Sequence, residues 1–390
     1  MKHVCMVAYT NYRFDGRVRR EAEAVASLSG YSVTVLTYKE KEKPATFEME
    51  GVLVQELDIP KYRGKNQARY ILSYVGFTFL AFLECTKRFA GKSLDVLHVH
   101  NMPNFVVFAG LIPWMAGRPI ILDIHDTMVE TYSAKFGGRS RKILEWALRI
   151  EESISCRMAR RIVCVNDIQK EALVRRSIPE GKTLVVMNVP DPRVFDPATP
   201  VHARPKESGK FRMIFHGTVT KRVGVDLVAR AISRLNGNVP GMEFHIVGDG
   251  DDLEDFKELS RSLGVDGKVH IRGKVPLEVL PSILKGMDLG IVPNGKNIAT
   301  ELMLPVKMLE YIALGIPVVA PRLRTISRYF TEDMVFFFDP DDVDSMGEAI
   351  RTAFRSEGDR LTRATEARRF LDKYGWEHHK RGLTEMYQAL

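Results

Sequence analysis

The chain has 390 residues, 45% of them hydrophobic and 27% charged. That balance excludes a disordered or fibrous protein and leaves room for roughly two to three domains with sizeable cores. Lysine and arginine outnumber aspartate and glutamate by 57 to 49, a net charge of +8, which favours an anionic partner: a nucleotide phosphate, an acidic membrane or nucleic acid.

Met1-Lys2-His3-Val4 leads straight into a strand pattern, so no signal peptide is expected. Strands are predicted at 4–8, 32–38, 52–57, 96–100, 119–124, 162–165 and 184–187. Several are unbroken apolar runs, as in strands buried on both faces of a parallel sheet. Helical periods fall between them at 17–28, 70–89, 104–116, 139–160 and 169–176. The longest apolar stretch, Ile71 to Leu83, is interrupted by Ser73, Gly76 and Thr78; it falls short of the roughly 18 residues that a membrane span needs. Cys5, Cys85, Cys156 and Cys164 lie far apart with no C-x-x-C, which argues against a disulfide framework or a cysteine-rich zinc site and fits a reducing cytosol.

The pattern breaks at Pro190–Gly209, where five prolines read as a linker. A second βαβ series follows, with strands at 211–216, 243–248, 269–272, 289–293, 317–320 and 335–338 and helices at 225–235, 252–263, 277–285, 306–314 and 343–354. The segment from Trp376 to Leu390 is amphipathic. Two consecutive doubly wound α/β domains are expected, with ligands beyond the carboxyl ends of their strands.

The most informative stretch is Glu301-Leu-Met-Leu-Pro-Val-Lys-Met-Leu-Glu310-Tyr-Ile-Ala-Leu-Gly315. Pro305 suits a helix start and Gly315 a helix end. The short helix between them offers free amides to a diphosphate. Lys307, in its first turn, opposes the dipole unless an anion sits there, and it shares a face with Glu310. A solvated Lys–Glu pair is the plain alternative. At the end of strand 211–216, His216-Gly217 opens a loop through Lys221 and Arg222 to Gly224, a cationic turn suited to a departing pyrophosphate; an ordinary basic loop is the alternative. Val247-Gly248-Asp249-Gly250 is a weak glycine signature, with Asp251 or Asp252 as a helix cap.

In the first half, Asp123-Ile-His125-Asp126 ends a strand, and His125 is a candidate for a substrate hydroxyl or for a satisfied core position. His98 and His100 alternate on one strand without a carboxylate cluster, so they read as strand-end residues rather than a zinc site. Gly16 and Arg17 open the first helix and are candidates for an anionic acceptor; Arg19 and Arg20 read as a solvated face. Basic residues Lys61, Arg63, Lys65 and Arg69 precede the apolar 70–83 segment, and a second basic-apolar region spans 135–149. Either is an interfacial helix or a helix covering the sheet.

Nearly the whole chain resembles the retaining GT-B glycosyltransferases of family 4. The likeness rests on Asp15-Gly-Arg-Val-Arg-Arg-Glu with Tyr31-Ser-Val-Thr-Val-Leu-Thr, on His216-Gly-Thr-Val…Gly224-Val-Asp-Leu, on Val247-Gly-Asp-Gly, and most specifically on Pro305-Val-Lys-Met-Leu-Glu-Tyr-Ile-Ala-Leu-Gly-Ile-Pro. It implies two Rossmann-like domains facing a central cleft. The acceptor-binding domain would span 1–192 and be joined by 376–390; the donor-binding domain would span 193–375. Arg222 and Lys307 would hold the diphosphate and Glu310 the ribose. Gly217, Gly248 and Asp249 would line the donor site. The backbone near Arg272-Gly273 would meet the base, amides around Met303 and Leu304 would face the phosphates, and Glu301 would lie near the sugar. His125 would lie by the transferred sugar, and Gly16, Arg17 and Asp126 would face the acceptor. Leu302 stands where the family often has glutamate, Val223 where a lysine is usual, and Phe14-Asp15-Gly16 replaces a glycine pair.

The implied activity is metal-independent transfer, without a cofactor, from a UDP- or GDP-linked sugar to a hydroxyl of a sugar or lipid-linked acceptor. It would serve polysaccharide or glycolipid synthesis, in the cytoplasm or peripherally on an anionic membrane. Two rival readings are a nucleotide-sugar epimerase of the same architecture and a catalytically silent nucleotide-sugar-binding partner. Nucleic-acid binding is disfavoured because the basic charge shows no aromatic–basic repeat.

Overall fold

The computed structural model describes all residues except 63, 65, 134–138, 197–208 and 236, with the side chains of 67, 139–141 and 222 also left aside. Most of the expected linker and the start of the 135–149 region therefore lie outside the described residues. The chain divides into two compact units, Met1–Asn188 with Glu377–Leu390, and Val189–Trp376.

The first unit begins β1 (Lys2–Ala8), α1 (Gly16–Ala26), β2 (Tyr31–Lys39), β3 (Thr46–Met49), β4 (Val52–Pro60), α2 (Gln67–Ala90) and β5 (Val96–His100). A 3-10 segment, Asn104–Gly110, runs into α3 (Leu111–Met115). Then come β6 (Ile120–Ile124), α4 (Met128–Ser133), α5 (Arg139–Met158), β7 (Arg161–Cys164), α6 (Asp167–Arg175) and β8 (Thr183–Val185). The sheet order is β3-β4-β2-β1-β5-β6-β7-β8, parallel throughout except for β3 against β4. β3 and α4 are additions to the expected elements, and the 104–116 helix divides into a 3-10 segment and a five-residue α-helix.

Alternation along the central strands sorts the core by chemistry. Leu97 and Val99 of β5 and Leu122 and Ile124 of β6 enter an apolar cluster with Phe77, Ala81 and Cys85 of α2, Val106 and Val107 of the 3-10 segment, and Cys156 of α5. The intervening residues of those strands, His98, His100 and Asp123, are polar and buried.

The second unit is one wholly parallel sheet, ordered β11-β10-β9-β12-β13-β14. Its elements in chain order are β9 (Phe211–His216), α7 (Val225–Arg234), β10 (Met242–Val247), α8 (Leu253–Ser262), β11 (Val269–Ile271), α9 (Leu280–Leu284), β12 (Leu289–Ile291), α10 (Val306–Ala313), β13 (Val318–Pro321), α11 (Arg324–Tyr329), β14 (Phe336–Phe338), α12 (Val343–Arg355) and α13 (Glu357–Tyr374). The long α13 and short α11 were not foreseen. The chain then returns to the first unit as α14 (Trp376–Gln388), where Leu383 and Tyr387 are fully buried.

In both sheets the strand order reverses direction at the centre, between β1 and β5 and between β9 and β12. Ligands of doubly wound sheets bind at such switch points, beyond the strand carboxyl ends.

Candidate functional site

In the second unit, β9 ends at His216 and β10 at Val247, and the loops that follow lie back to back. Gly217 has φ +119° and Gly248 φ +153°, conformations that side chains oppose. A Cβ on Gly248 would lie 1.9 Å from the Gly217 carbonyl oxygen, so only glycine allows this approach. A pocket of about 230 Å³ opens there, lined by His216, Gly217, Gly248, Asp249, Lys274 and Val275, among others. Arg272 and Gly273 follow β11 beside it, and the Arg272 side chain is exposed.

Beside this pocket α10 begins. Pro305 is its N-cap rather than the first helical residue it was expected to be, and Gly315 follows its end at φ +71°. The Lys307 ammonium lies 3.9 Å from the centroid of the Phe215 ring and against Gly217. Burial, opposed by the Glu310 charge, lowers its pKa to about 7. Glu310 is nearly buried and lies 3.1 Å from His216 Nε2. The Tyr311 hydroxyl accepts from the His216 amide and donates to the Ile214 carbonyl. The α10 face is thus fixed to the end of β9, and Lys307 and Glu310 do not form a solvated surface pair.

Other expected donor residues are differently occupied. The Glu301 carboxylate accepts the Arg324 amide at 2.6 Å, capping α11. The Met303 amide donates to the Thr300 carbonyl inside a 3-10 turn, which corrects the expectation that it faces a phosphate; Leu304 links that turn to Pro305. Lys221 pairs with Asp255 of α8, and its amide donates to Asp252. Arg222 belongs to the 3-10 turn Lys221–Val223 before Gly224, and its side chain lies outside the described residues.

The first unit gathers a buried polar network at the ends of β1, β5 and β6. Arg17 donates through Nε and Nη2 to the two oxygens of Asp123, at 3.0 and 2.8 Å, and through Nη1 to the Val186 carbonyl. Its Nη2 also lies 3.1 Å from Glu21. Arg17 is therefore not an acceptor ligand, because its donors are taken inside the unit. Arg20 is likewise buried and bonds Asn188, correcting its reading as a solvated residue. Gly16 is the first residue of α1, whose N-cap Asp15 accepts from the Val18 amide and the Thr10 hydroxyl.

Asp123 Oδ2 also meets His100 Nδ1 at 3.1 Å and His125 Nε2 at 3.0 Å. The absence of carboxylates beside His98 and His100 is overturned here, for strand register sets His100 opposite Asp123. Burial alone would raise the Asp123 pKa; Arg17 first, then the imidazoles, hold it well below the usual carboxylate range. Burial pushes Glu21 well up, and the neighbouring Asp123 charge adds to this against the pull of Arg17. Glu21, His98, His100 and Asp123 bring potential ligand atoms within 4.8 Å of one another. The guanidinium on both carboxylates already supplies the cation, and the His98 and His100 rings stack at 4.3 Å. Nε2 of both rings and both Glu21 oxygens have no hydrogen-bond partner, while Arg17 pairs with both carboxylates, so the set reads as an ion-paired network.

His125 is the network's outlet, with a side chain 22% exposed. Asn101 holds it in place. Its Oδ1 accepts the His125 amide at 2.8 Å, and its Nδ2 donates to the Asp126 carbonyl and to Asn104, which in turn donates to Glu151 of α5. Burial raises Glu151 to about 7 despite the Asn104 bond. Asp126 is half-buried beside His125. Sequence reasoning missed Asp123, Asn101 and Glu151. The available signal was a lone aspartate inside the apolar run Ile120–Ile124.

A family model described as glycosyl transferases group 1 matches residues 210–356, and one described as glycosyl transferase 4-like domain matches 16–188. An uncharacterised glycosyltransferase of Methanocaldococcus jannaschii is 22% identical over 315 residues, 75% of each chain. The 2-deoxystreptamine N-acetyl-D-glucosaminyltransferase of Streptomyces fradiae is 25% identical over 311 residues, 74% of this chain and 70% of that one. Among solved structures, sucrose-phosphate synthase from Thermosynechococcus elongatus aligns over 100% of this chain and 99% of its own, with TM-score 0.79 and 16% identity. Anabaena HepE in complex with UDP and glucose aligns over 100% of both chains, with TM-score 0.73 and 13% identity. At such identities these structures bear on the fold.

Proposed function

Because the chain belongs to the group 1 glycosyltransferases of the GT-B fold, we propose that it moves a sugar, with retention and without a metal, from a nucleotide diphosphate to a hydroxyl of a saccharide or lipid-linked acceptor. The proposal includes work in the cytoplasm, at the membrane's inner face, on surface polysaccharide or glycolipid. The observation that carries it is Lys307, whose ammonium is desolvated against Phe215 beside a glycine-lined pocket and the start of a helix. A dianionic diphosphate compensates both the buried ammonium and the unpaired amides of a helix start.

In this reading, charge growing on the leaving diphosphate is stabilised by Lys307, Arg222 and the α10 start. Gly217 and Gly248 allow the donor to approach the backbone, with Asp249, Arg272 and Gly273 around it and Glu310 receiving the ribose. Two carboxylates near His125 are already committed, Asp123 to Arg17 and Asp15 to a helix cap, which favours front-face attack without either as an enzyme nucleophile. The C1–O bond to phosphate breaks as the acceptor oxygen bonds C1 on the same face. The acceptor proton passes to the departing phosphate oxygen. His125, turned by Asp123 and Asn101, contacts a sugar hydroxyl.

The test is transfer or donor hydrolysis with a panel of UDP- and GDP-sugars in the presence of EDTA. Chelator-resistant turnover with retained anomeric configuration is expected. Activity that needs an added divalent ion, or an inverted product, overturns the corresponding part.

A further inference from the structure

At the carboxyl end of β9 a buried side chain has a polar atom left over. His216 is 8% exposed, and its ring nitrogen Nε2 is shut off with no hydrogen-bond partner. Orphaned buried polar atoms are rare and costly, so each calls for an account. The acid beside it is Glu310 of α10, whose Oε2 lies 3.1 Å from Nε2. The two stand at ion-pair distance without the alignment of a hydrogen bond. Glu310 is in a similar condition. Its side chain is 11% exposed, and among the described residues no donor hydrogen-bonds to its carboxylate.

The imidazole is held in place. The His216 amide donates to the Tyr311 hydroxyl at 3.1 Å, that hydroxyl donates to the Ile214 carbonyl at 3.3 Å, and the two rings meet edge to face at 5.1 Å and 86°. Tyr311 fits there because β12 passes it at Gly290, where a Cβ would come 2.4 Å from its ring. Glu310 and Tyr311 are neighbours in α10, so the helix that places the acid also fastens the ring opposite it. His216 lines the pocket of about 230 Å³ as well, next to Gly217 and Gly248.

A carboxylate only accepts, so the ring nitrogen that faces it is the one that carries the proton. A slight turn of either side chain makes the contact an N–H···O bond. That bond takes one of the roughly four lone-pair sites of the carboxylate and fixes its plane. Oε1 and the second site on Oε2 stay open to hydroxyl donors. Two hydroxyls on adjacent carbons match a carboxylate held in this way.

We propose that His216 is the positioning residue of Glu310: its Nε2–H grips one carboxylate oxygen, so that the acid meets the vicinal diol of the donor's ribose in one orientation. His216 acts through Glu310 and need not touch the ribose. The inference rests on the nucleotide-donor reading and deepens it, for it makes the preference for ribose depend on a strand-end imidazole.

Because the ring also forms part of the pocket wall, the experiment removes the diol as well as the residue. It is calorimetry of the full chain with UDP, GDP and the 2′,3′-dideoxy counterpart of each. In the parent, the better ribonucleotide should bind at least about tenfold more tightly than its dideoxy counterpart. His216→Phe should lose about fivefold to tenfold on the ribonucleotide and nothing on the dideoxynucleotide, and His216→Gln, which restores an N–H near the place of Nε2, should recover most of that loss. In a Glu310→Gln background, His216→Phe should cost nothing further. In transfer assays the loss should fall on KM, with kcat unchanged. Should the Phe variant melt early, His216→Asn, polar but too short to reach Glu310, carries the same expectation. Equal losses on both nucleotides would make His216 a pocket wall; these, or unchanged selectivity, overturn the proposal. So does a parent that binds both nucleotides alike, which leaves the donor reading standing. A parent that binds none of the four overturns the donor reading too.

Discussion

The two units place charge in opposite ways. At the switch point of the first, Arg17, Glu21, His98, His100 and Asp123 are all buried, and the strongest contacts are between side chains. At that of the second, the walls are glycine backbone, and Lys307 stands against an aromatic ring and one acid. In the first arrangement Arg17 and Asp123 satisfy each other inside the unit and present the partly exposed His125, while both Glu21 oxygens and Nε2 of His98 and His100 have no hydrogen-bond partner. The second sets a desolvated lysine beside an open pocket, and in the proposed reading an anion completes it. Outside the sites the contrast reverses, for most of the described exposed large hydrophobic residues stand on the first unit and three, Leu277, Val279 and Ile298, on the second.

The largest test of this contrast is Asp123→Ala. It takes both Asp123 contacts from the buried Arg17 guanidinium, leaving Glu21 and the Val186 carbonyl, and losing one partner of a buried pair typically costs about 3–5 kcal/mol. Urea unfolding should show that loss. Asp123→Asn, which keeps an acceptor for Arg17, should lose less. A midpoint that does not move would mean the network is solvated and the two units are alike. Lys307→Ala should do the reverse in the second unit. Stability should hold or rise, since a desolvated cation is removed, while kcat/KM with the best donor falls by about a hundredfold to a thousandfold. Equal loss of stability and activity would make Lys307 a structural residue.

Gly248→Ala probes the backbone wall. Its φ of +153° and the 1.9 Å approach to Gly217 leave a methyl no place without moving the loop. A cost of about 1–3 kcal/mol is expected. Nucleotide binding by calorimetry should weaken with it, whereas Gly264→Ala, whose Cβ would meet nothing within 4 Å, should leave binding intact.

How far the sequence revealed these arrangements follows the range of the interactions. Strands such as Val96–His100 and Phe211–His216 stand where their apolar runs ended, and α10 was legible from Pro305 and Gly315, because turn and cap chemistry is local. β3 escaped notice because its residues, Thr-Phe-Glu-Met, are short and half-wet at a sheet edge. α13 escaped because its outward side is almost wholly charged and its buried positions include small Ala364 and Ala367, leaving little apolar periodicity. The first-unit network was hidden for another reason. Arg17 and Asp123 are 106 residues apart, and only the β1–β5–β6 register brings them together. An arginine at a helix start reads as solvent-facing until its partner is known.

The smallest predicted effect is also the most diagnostic of an incomplete second site. Desolvation beside Phe215 brings Lys307 down to about 7, whereas a lysine in an unfolded chain titrates near 10.4. Between those values the unfolded chain carries the extra proton, so this residue makes unfolding free energy rise with pH across that window and contribute no slope below it. Binding of a diphosphate works the other way. It favours the ammonium and raises the lysine's pKa, so a proton is taken up on binding at pH 8, where the diphosphate itself is fully ionised. Affinity for UDP or GDP should then fall by about tenfold per pH unit above 7. Calorimetry at pH 8 in two buffers of different ionisation enthalpy measures the uptake directly. Close to one proton is expected in the parent and close to none in Lys307→Met. Heats independent of buffer in the parent would show that the ammonium is already charged before the ligand arrives, and the distinction between an internally paired first network and a second site awaiting an anion would fall.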